Sequence, residues 1–321
     1  MRFLFAGAGA IGAYIAALMS RAGFDVIIFA RGAHLRAMQE RGVRVISAEG
    51  EFEARPRIAG TLEEVGPVDV VFLTVKAHGL TQLAPQLAPV LGPDTTVVST
   101  QNGITWWFFQ GWGGKWEGTH LERIDPGGVI AAAIEPRRVI GSLVYFATEI
   151  AEPGVIRHTE GNRISLGEPD GSRSERVRAI SEALIKSGLR APVTTRIRQE
   201  IWVKLLGNIA FNPVSALTRA TLVRIARHPD ASQLVRSIMQ EMELVGNGLG
   251  LELPITIDQR IAGAEKVGEH KTSMLQDLEA GRPMELEAIV GAVVELGQRM
   301  NIPMPSTRAV YACAKLLAVG S

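Results

Sequence analysis

The sequence predicts an α/β fold in which a doubly wound, mostly parallel sheet comes first and an all-helical domain follows. Three observations carry this. Short apolar runs at 2–6, 24–30, 68–75 and 95–100 are separated by helix-length spacers, the pattern of a parallel sheet covered on both faces. A glycine-rich stretch, Gly7-Ala8-Gly9-Ala10-Ile11-Gly12, stands between the first run and a helix expected over 10–22. From about Gln199 onward apolar residues recur at three- and four-residue steps, as in Ile201, Trp202, Leu205, Leu206 and Ile209.

Size and composition agree with two domains. At about 150 residues per domain, 321 residues suggest a pair, and 46% hydrophobic content gives each a core, which excludes disorder as the main state. The expected division is 1–195 and 196–321, marked by a change of pattern rather than by a linker. Charges nearly cancel, 34 Lys and Arg against 33 Asp and Glu, so the basic excess that drives nucleic-acid binding is absent. A single cysteine, Cys313, can form neither an internal disulfide nor a thiolate zinc site, and six scattered histidines lack metal-ligand spacing. No metal is therefore expected. No run approaches the roughly 20 apolar residues of a membrane helix, and no signal peptide precedes the first strand, so the expected location is the cytoplasm.

In chain order, the strand at 2–6, the helix at 10–22 and the strand at 24–30 form a βαβ unit. The third apolar run ends at Lys76 and the fourth at Gln101-Asn102-Gly103. Between 138 and 168 the texture changes to shorter strands, partly antiparallel, with Glu160-Gly161-Asn162 as a turn, which we expect to close the first domain. Helices are expected over 230–249, 254–280 and 284–300, with Gly281 and Pro283 marking one stop and the next first turn.

The glycine stretch has the position and spacing of a dinucleotide fingerprint. Its first glycine permits the tight turn, its second admits the pyrophosphate, and its third lets helix and strand approach, with helix N–H groups facing the anion. The competing reading is a glycine-rich turn that holds no ligand. At the end of the second strand, Phe29-Ala30-Arg31 lacks the acid that would receive the ribose hydroxyls of NAD. An arginine there can grip a 2′-phosphate, which favours NADPH, although a solvated arginine is the alternative in a stretch that also holds Arg36, Arg41 and Arg44. Farther on, Lys204, Asn208 and Asn212 lie at i, i+4 and i+8 on one helix face. Such a face could donate a proton to a developing alkoxide and hold a carboxylate or hydroxyl, or it could simply be solvated.

These features taken with Val75-Lys76-Ala77, Asn102-Gly103, Lys204-x-x-x-Asn208-x-x-x-Asn212-Pro213, and Ser273-Met274-Leu275-Gln276-Asp277 followed by Glu285 resemble the ketopantoate reductase family along the whole chain. The resemblance implies a Rossmann-type NADPH domain followed by a helical domain of the 6-phosphogluconate dehydrogenase type. It implies reduction of a small-molecule 2-oxo acid, 2-dehydropantoate, to (R)-pantoate in pantothenate biosynthesis. Lys204 would donate the proton, and Glu285 would serve the cofactor or the lysine. Asn102 would touch cofactor and substrate; Lys76 and Ala147 would touch cofactor; Asn208, Asn212 and Ser273 would hold substrate. Leu222 and His270 stand where further substrate amides are expected, so a same-fold reductase of another 2-oxo or 3-hydroxy acid is the alternative, as is a silent NADP(H) sensor. The assembly state is open, with a homodimer among the options. So is the aromatic segment Trp106–Trp116, which reads either as a lid over the site or as a loop packed on the protein surface or in an interface. Tyr311 and Lys315 match the Tyr-x-x-x-Lys pair of short-chain dehydrogenases but lie in the last helix, where the match is incidental.

Overall fold

A computed structural model describes residues 1–319. The chain forms two compact units. The first comprises Met1–Gln101, Trp107–Gly118 and Gly128–Ile197; the second comprises Asn102–Trp106, Thr119–Gly127 and the chain from Arg198 onward. Compared with a single cut near 195, the helical unit thus takes in two short stretches from earlier in the chain. Hydrogen bonds explain both. The Ile104 N–H donates to Ala288 O at 3.0 Å, and the Glu295 carboxylate accepts the N–H groups of Glu122 (3.2 Å) and Arg123 (3.0 Å).

The first unit is built on a seven-stranded sheet. Its strands are β1 (Arg2–Ala6), β2 (Asp25–Phe29), β5 (Arg57–Ala59), β6 (Val68–Leu73), β7 (Leu91–Ser99), β8 (Val139–Val144) and β11 (Ile164–Gly167), in the order β11-β8-β7-β6-β1-β2-β5. All pairs are parallel except β11 with β8. The inner strands are apolar without alternation because both faces are covered, and Phe5 stacks on Phe72 at 4.7 Å. A second sheet, β4-β3-β10-β9, combines β3 (Val43–Ser47) and β4 (Gly50–Ala54) with β9 (Ala147–Glu152) and β10 (Val155–Glu160).

Helix α1 (Ala10–Arg21) packs on strands of both sheets, which is why Ala13 to Met19 are buried all round it. The other helices of this unit are α2 (Gly32–Arg41), α3 (Ala77–Leu83), α4 (Val129–Ala133) and α5 (Glu175–Lys186). The strands expected over 138–168 lie in the first unit and are partly antiparallel, but they divide between two sheets: β8 and β11 extend the first, and β9 and β10 form the second with β3 and β4. Those two strands were not foreseen. Their Val-Arg-Val and Glu-Phe-Glu alternation is short and half charged, and β3 pairs in parallel with β10, more than a hundred residues away by sequence.

The second unit holds seven helices among the described residues: α6 (Ile197–Thr218), α7 (Leu222–Arg227), α8 (Pro229–Leu249), α9 (Ile257–Val267), α10 (Ser273–Glu279), α11 (Ala292–Arg299) and α12 (Pro305–Val319). The helix expected over 254–280 is two helices. Gly268 at φ +83° ends α9, and Thr272 caps α10 by accepting the Leu275 N–H. Gly281, at φ +61°, follows the end of α10 as expected, but Pro283 does not open the next helix. Helical structure resumes at Leu286 and at once widens into a π-helical turn over Glu287–Gly291. A buried carboxylate fastens the last helix: Glu241 of α8 accepts Ser306 N–H (2.8 Å), Thr307 N–H (2.9 Å) and the Thr307 hydroxyl (2.6 Å). Two donors orphaned at the start of α12 are thereby satisfied from outside the helix.

Candidate active site

The glycine turn is shaped by contacts that leave no room for side chains. Gly7 has φ +132°, and a Cβ there would stand 2.8 Å from Val75 Cγ1 and 2.9 Å from the Val75 nitrogen. A Cβ on Gly12 would collide with the Gly7 carbonyl and the Thr74 hydroxyl, which are themselves hydrogen-bonded at 2.7 Å. Gly9 differs: a Cβ there would find only Thr74 O, at 3.6 Å, so its other side is open. Gly9 is also the N-cap of α1, with no side-chain cap and no acid in the first turn. The N–H groups of Ala10, Ile11 and Gly12 thus begin a 12-residue helix that no side chain of its own closes, the local environment an anion requires. These residues fit a pyrophosphate.

Arg31 follows β2, is exposed, lies 5.0 Å over the Phe29 ring and donates to Gln86 Oε1 at 2.7 Å. The end of this strand carries a cation already oriented by an amide and an aromatic face. Lys76 is half-buried at the N-cap position of α3, next to the Val75 that covers Gly7. Ala147 opens β9, a strand on which α1 packs, and its carbonyl accepts from the Thr159 hydroxyl at 3.2 Å.

In the helical unit three residues far apart in sequence meet. Lys204 Nζ, from α6, donates to Asn102 Oδ1 at 3.0 Å, and Asn102 Nδ2 donates to Glu285 Oε2 at 3.2 Å. The amide is thereby read in one orientation, oxygen toward the ammonium and nitrogen toward the carboxylate. Gly103 makes the approach possible. At φ +81° it lies so close to Ala288 that a Cβ would strike the carbonyl, while the Ile104 N–H donates to that same oxygen. Glu285 immediately precedes the helical segment that contains Ala288, so one loop-to-helix contact sets the Asn102 and Glu285 side chains against each other.

Burial pushes the Lys204 ammonium down to about 8; Glu285 acts the other way, and the nearby Arg260 cation lowers it further. A lysine so placed can give up a proton near neutral pH. Asn208, half-buried, and Asn212, buried, follow it one and two turns along α6. Ser273 is exposed at the first position of α10. Leu222 and His270 adjoin: the Leu222 N–H donates to His270 O at 3.0 Å.

Of the readings offered for the aromatic segment, packing against the protein is the one its leading residues follow. Trp106 is 6% exposed, and Trp107, Phe108 and Phe109 are at most 1% exposed, so these rings are neither a free lid nor a face offered to a partner. Trp107 lies against Gly141, where a Cβ would come within 2.5 Å of its ring. Phe108 and Phe109 pack edge to face at 5.2 Å, and Phe109 gathers Trp112 and Trp116 at 5.1 and 6.2 Å. Aromatic clustering accounts for the composition. Tyr311 and Lys315 likewise serve the helix: the phenol donates to Glu287 Oε2 at 2.6 Å, and the lysine lies 5.4 Å over the ring.

Sequence reasoning missed Arg260. The visible cue was Gly207, a glycine inside an otherwise strong helix, whose place is explained by the Arg260 guanidinium lying against it.

Family models match both parts of the chain: ketopantoate reductase PanE/ApbA over residues 3–106, and its C-terminal counterpart over 196–318. A 2-dehydropantoate 2-reductase of Mesorhizobium japonicum is 53% identical over 320 residues, covering 99% of this chain and 98% of its own. One from Archaeoglobus fulgidus is 31% identical, covering 92% and 90%. Among solved structures, a Ralstonia solanacearum MolK2 protein provisionally described as a ketopantoate reductase superposes with a TM-score of 0.95 at 37% identity, covering 99% and 98%.

Proposed function

The chain belongs to the ketopantoate reductase family, and from that premise we propose that it reduces 2-dehydropantoate to (R)-pantoate, with NADPH as reductant, in the cytoplasm. Membership makes it a nicotinamide-dependent oxidoreductase; the choice of NADPH rests on Arg31 and on the absence of an acid after β2. No helix among the described residues is long and apolar enough to cross a membrane.

The observation that carries the reading is the Lys204–Asn102–Glu285 chain. When bound, the dihydronicotinamide supplies two electrons and a hydrogen to the ketone carbon. The remaining proton comes from this chain. Lys204 Nζ donates to the ketone oxygen as negative charge develops there, and its lowered proton affinity makes that transfer cheap. Asn102 holds the ammonium in place and is itself held by Glu285, whose charge keeps the lysine protonated before reaction. Asn208 and Asn212 extend the same face as donors for hydroxyl oxygens of the substrate, and Ser273 adds a hydroxyl. The backbone N–H groups at the head of α1 and Lys76 hold the cofactor phosphates.

Initial rates of NADPH oxidation against a panel of 2-oxo acids test this. 2-Dehydropantoate should give the highest kcat/KM. A higher value for a more apolar acid would reassign the substrate, and no oxidation with any acid would overturn the reductase reading.

A further inference from the structure

Helix α9 starts on a full capping box. Thr256 accepts the Gln259 N–H at 3.1 Å, and the Gln259 side chain returns to the Thr256 N–H at 2.9 Å. Arg260 follows, its own N–H bonded to Thr256 O at 3.0 Å, so its backbone is fixed in the first helical turn. A cation there opposes the helix dipole, which favours acids at that end. The side chain is half-buried and runs to α6, where its guanidinium lies against Gly207: a Cβ at that glycine would collide with Nη2 and Nε and meet Cζ at 2.5 Å. Two unfavourable choices, a glycine inside α6 and a cation at the head of α9, are thus one feature, a notch with a guanidinium laid in it.

The notch lies beside the proton donor. At 100° per residue, Gly207 falls about 60° to one side of Lys204, and Asn208 about 40° to the other. The lysine is therefore flanked by a guanidinium on one side and amides on the other. We propose that Arg260, seated on Gly207, is the subsite that takes the carboxylate of the 2-oxo acid. The inference rests on the reductase reading and deepens it by naming what recognises the acid group.

Charge supports it. Among the charges that act on Lys204 is the Arg260 guanidinium, so a second cation stands near the proton donor, which favours an anionic ligand group there. Chemistry supports it as well. A 2-oxo acid presents two coplanar oxygens, and a guanidinium presents its N–H donors in a planar fork of matching geometry. The expected amide positions 222 and 270 flank α9 in sequence but hold Leu and His, so Arg260 would do what amides there cannot.

The test compares 2-dehydropantoate with its neutral methyl ester, in parent protein, Arg260→Gln, Arg260→Lys and Gly207→Ala. Arg260→Gln should raise KM for the acid about ten- to hundredfold, the range for a lost charge-assisted hydrogen bond, and leave KM for the ester within about twofold. Arg260→Lys should restore part of the difference. Gly207→Ala keeps the charge and favours the helix but displaces the guanidinium, so it should reproduce the selective loss without lowering the melting temperature. Equal changes for acid and ester, or none for the acid, would overturn the proposal. So would a change confined to the pH profile, since Arg260 would then act on Lys204 alone. A parent protein inactive on every 2-oxo acid would instead remove the reductase reading itself.

Discussion

The glycine turn before α1 and the Lys204–Asn102–Glu285 chain are both sites, but they are made of different material. The turn is backbone: its shape follows from three residues without Cβ atoms, lies within six consecutive positions, and presents N–H groups that every sequence possesses. The chain is side chain: three polar groups separated by 102 and 183 positions, each holding the next through one hydrogen bond. A backbone site fails when something is added, and a side-chain site fails when something is removed.

That contrast can be broken at its strongest point first. Lys204→Ala removes the proton donor and should lower turnover by about 10²- to 10⁴-fold, while NADPH affinity measured by fluorescence titration stays within about twofold. Normal turnover on the true substrate would eliminate the assignment. Gly12→Ala adds one methyl group against the Gly7 carbonyl and Thr74, and should weaken NADPH about a hundredfold while leaving the Lys204 face unchanged. A dissociation constant like that of the parent would show that the turn does not carry the cofactor.

Arg31→Ala sharpens the comparison within the first unit, since it takes a side chain from the backbone-built site. NADPH should weaken about ten- to a hundredfold and NADH hardly at all. Equal losses would mean that the arginine supports the strand end rather than a phosphate. The smallest effect is on pH. With Lys204 near 8, below the ordinary lysine value, its ammonium form is full below that pH and is lost above it. Reduction should be flat up to about pH 8 and then fall about tenfold per unit, whereas oxidation of the hydroxy acid, which needs the free amine, should rise over the same interval. A flat reduction profile through pH 9 would separate the lysine from the rate-limiting proton transfer.

The same contrast governs what could be read from the sequence. The fingerprint, the inner strands and the Lys204 face were legible because each rests on local spacing: glycines at fixed offsets, unbroken apolar runs, polar residues four apart. Strands β3 and β4 were not, because their alternation is short and charged and their partner is remote in sequence. Asn102 and Glu285 could be named only through family resemblance; nothing local places an amide beside a carboxylate 183 positions on. The tryptophans misled for a related reason. Composition shows that aromatic residues gather but not on which side of the surface, and Trp107 fits inside because Gly141 vacates the space for its ring.

The π-helical turn at Glu287–Gly291 carries one residue more per turn than an α-helix, so it behaves as a tolerated insertion. Deleting one residue there would let the backbone relax into an ordinary helix. The segment ahead of it would turn by about 100° relative to the segment behind. Glu285 would then swing off Asn102, and Ala288 would withdraw its carbonyl from Ile104. The shortened protein would hold a more regular helix and a dismantled proton donor, so at this point in the chain good helical geometry and good chemistry are rival outcomes.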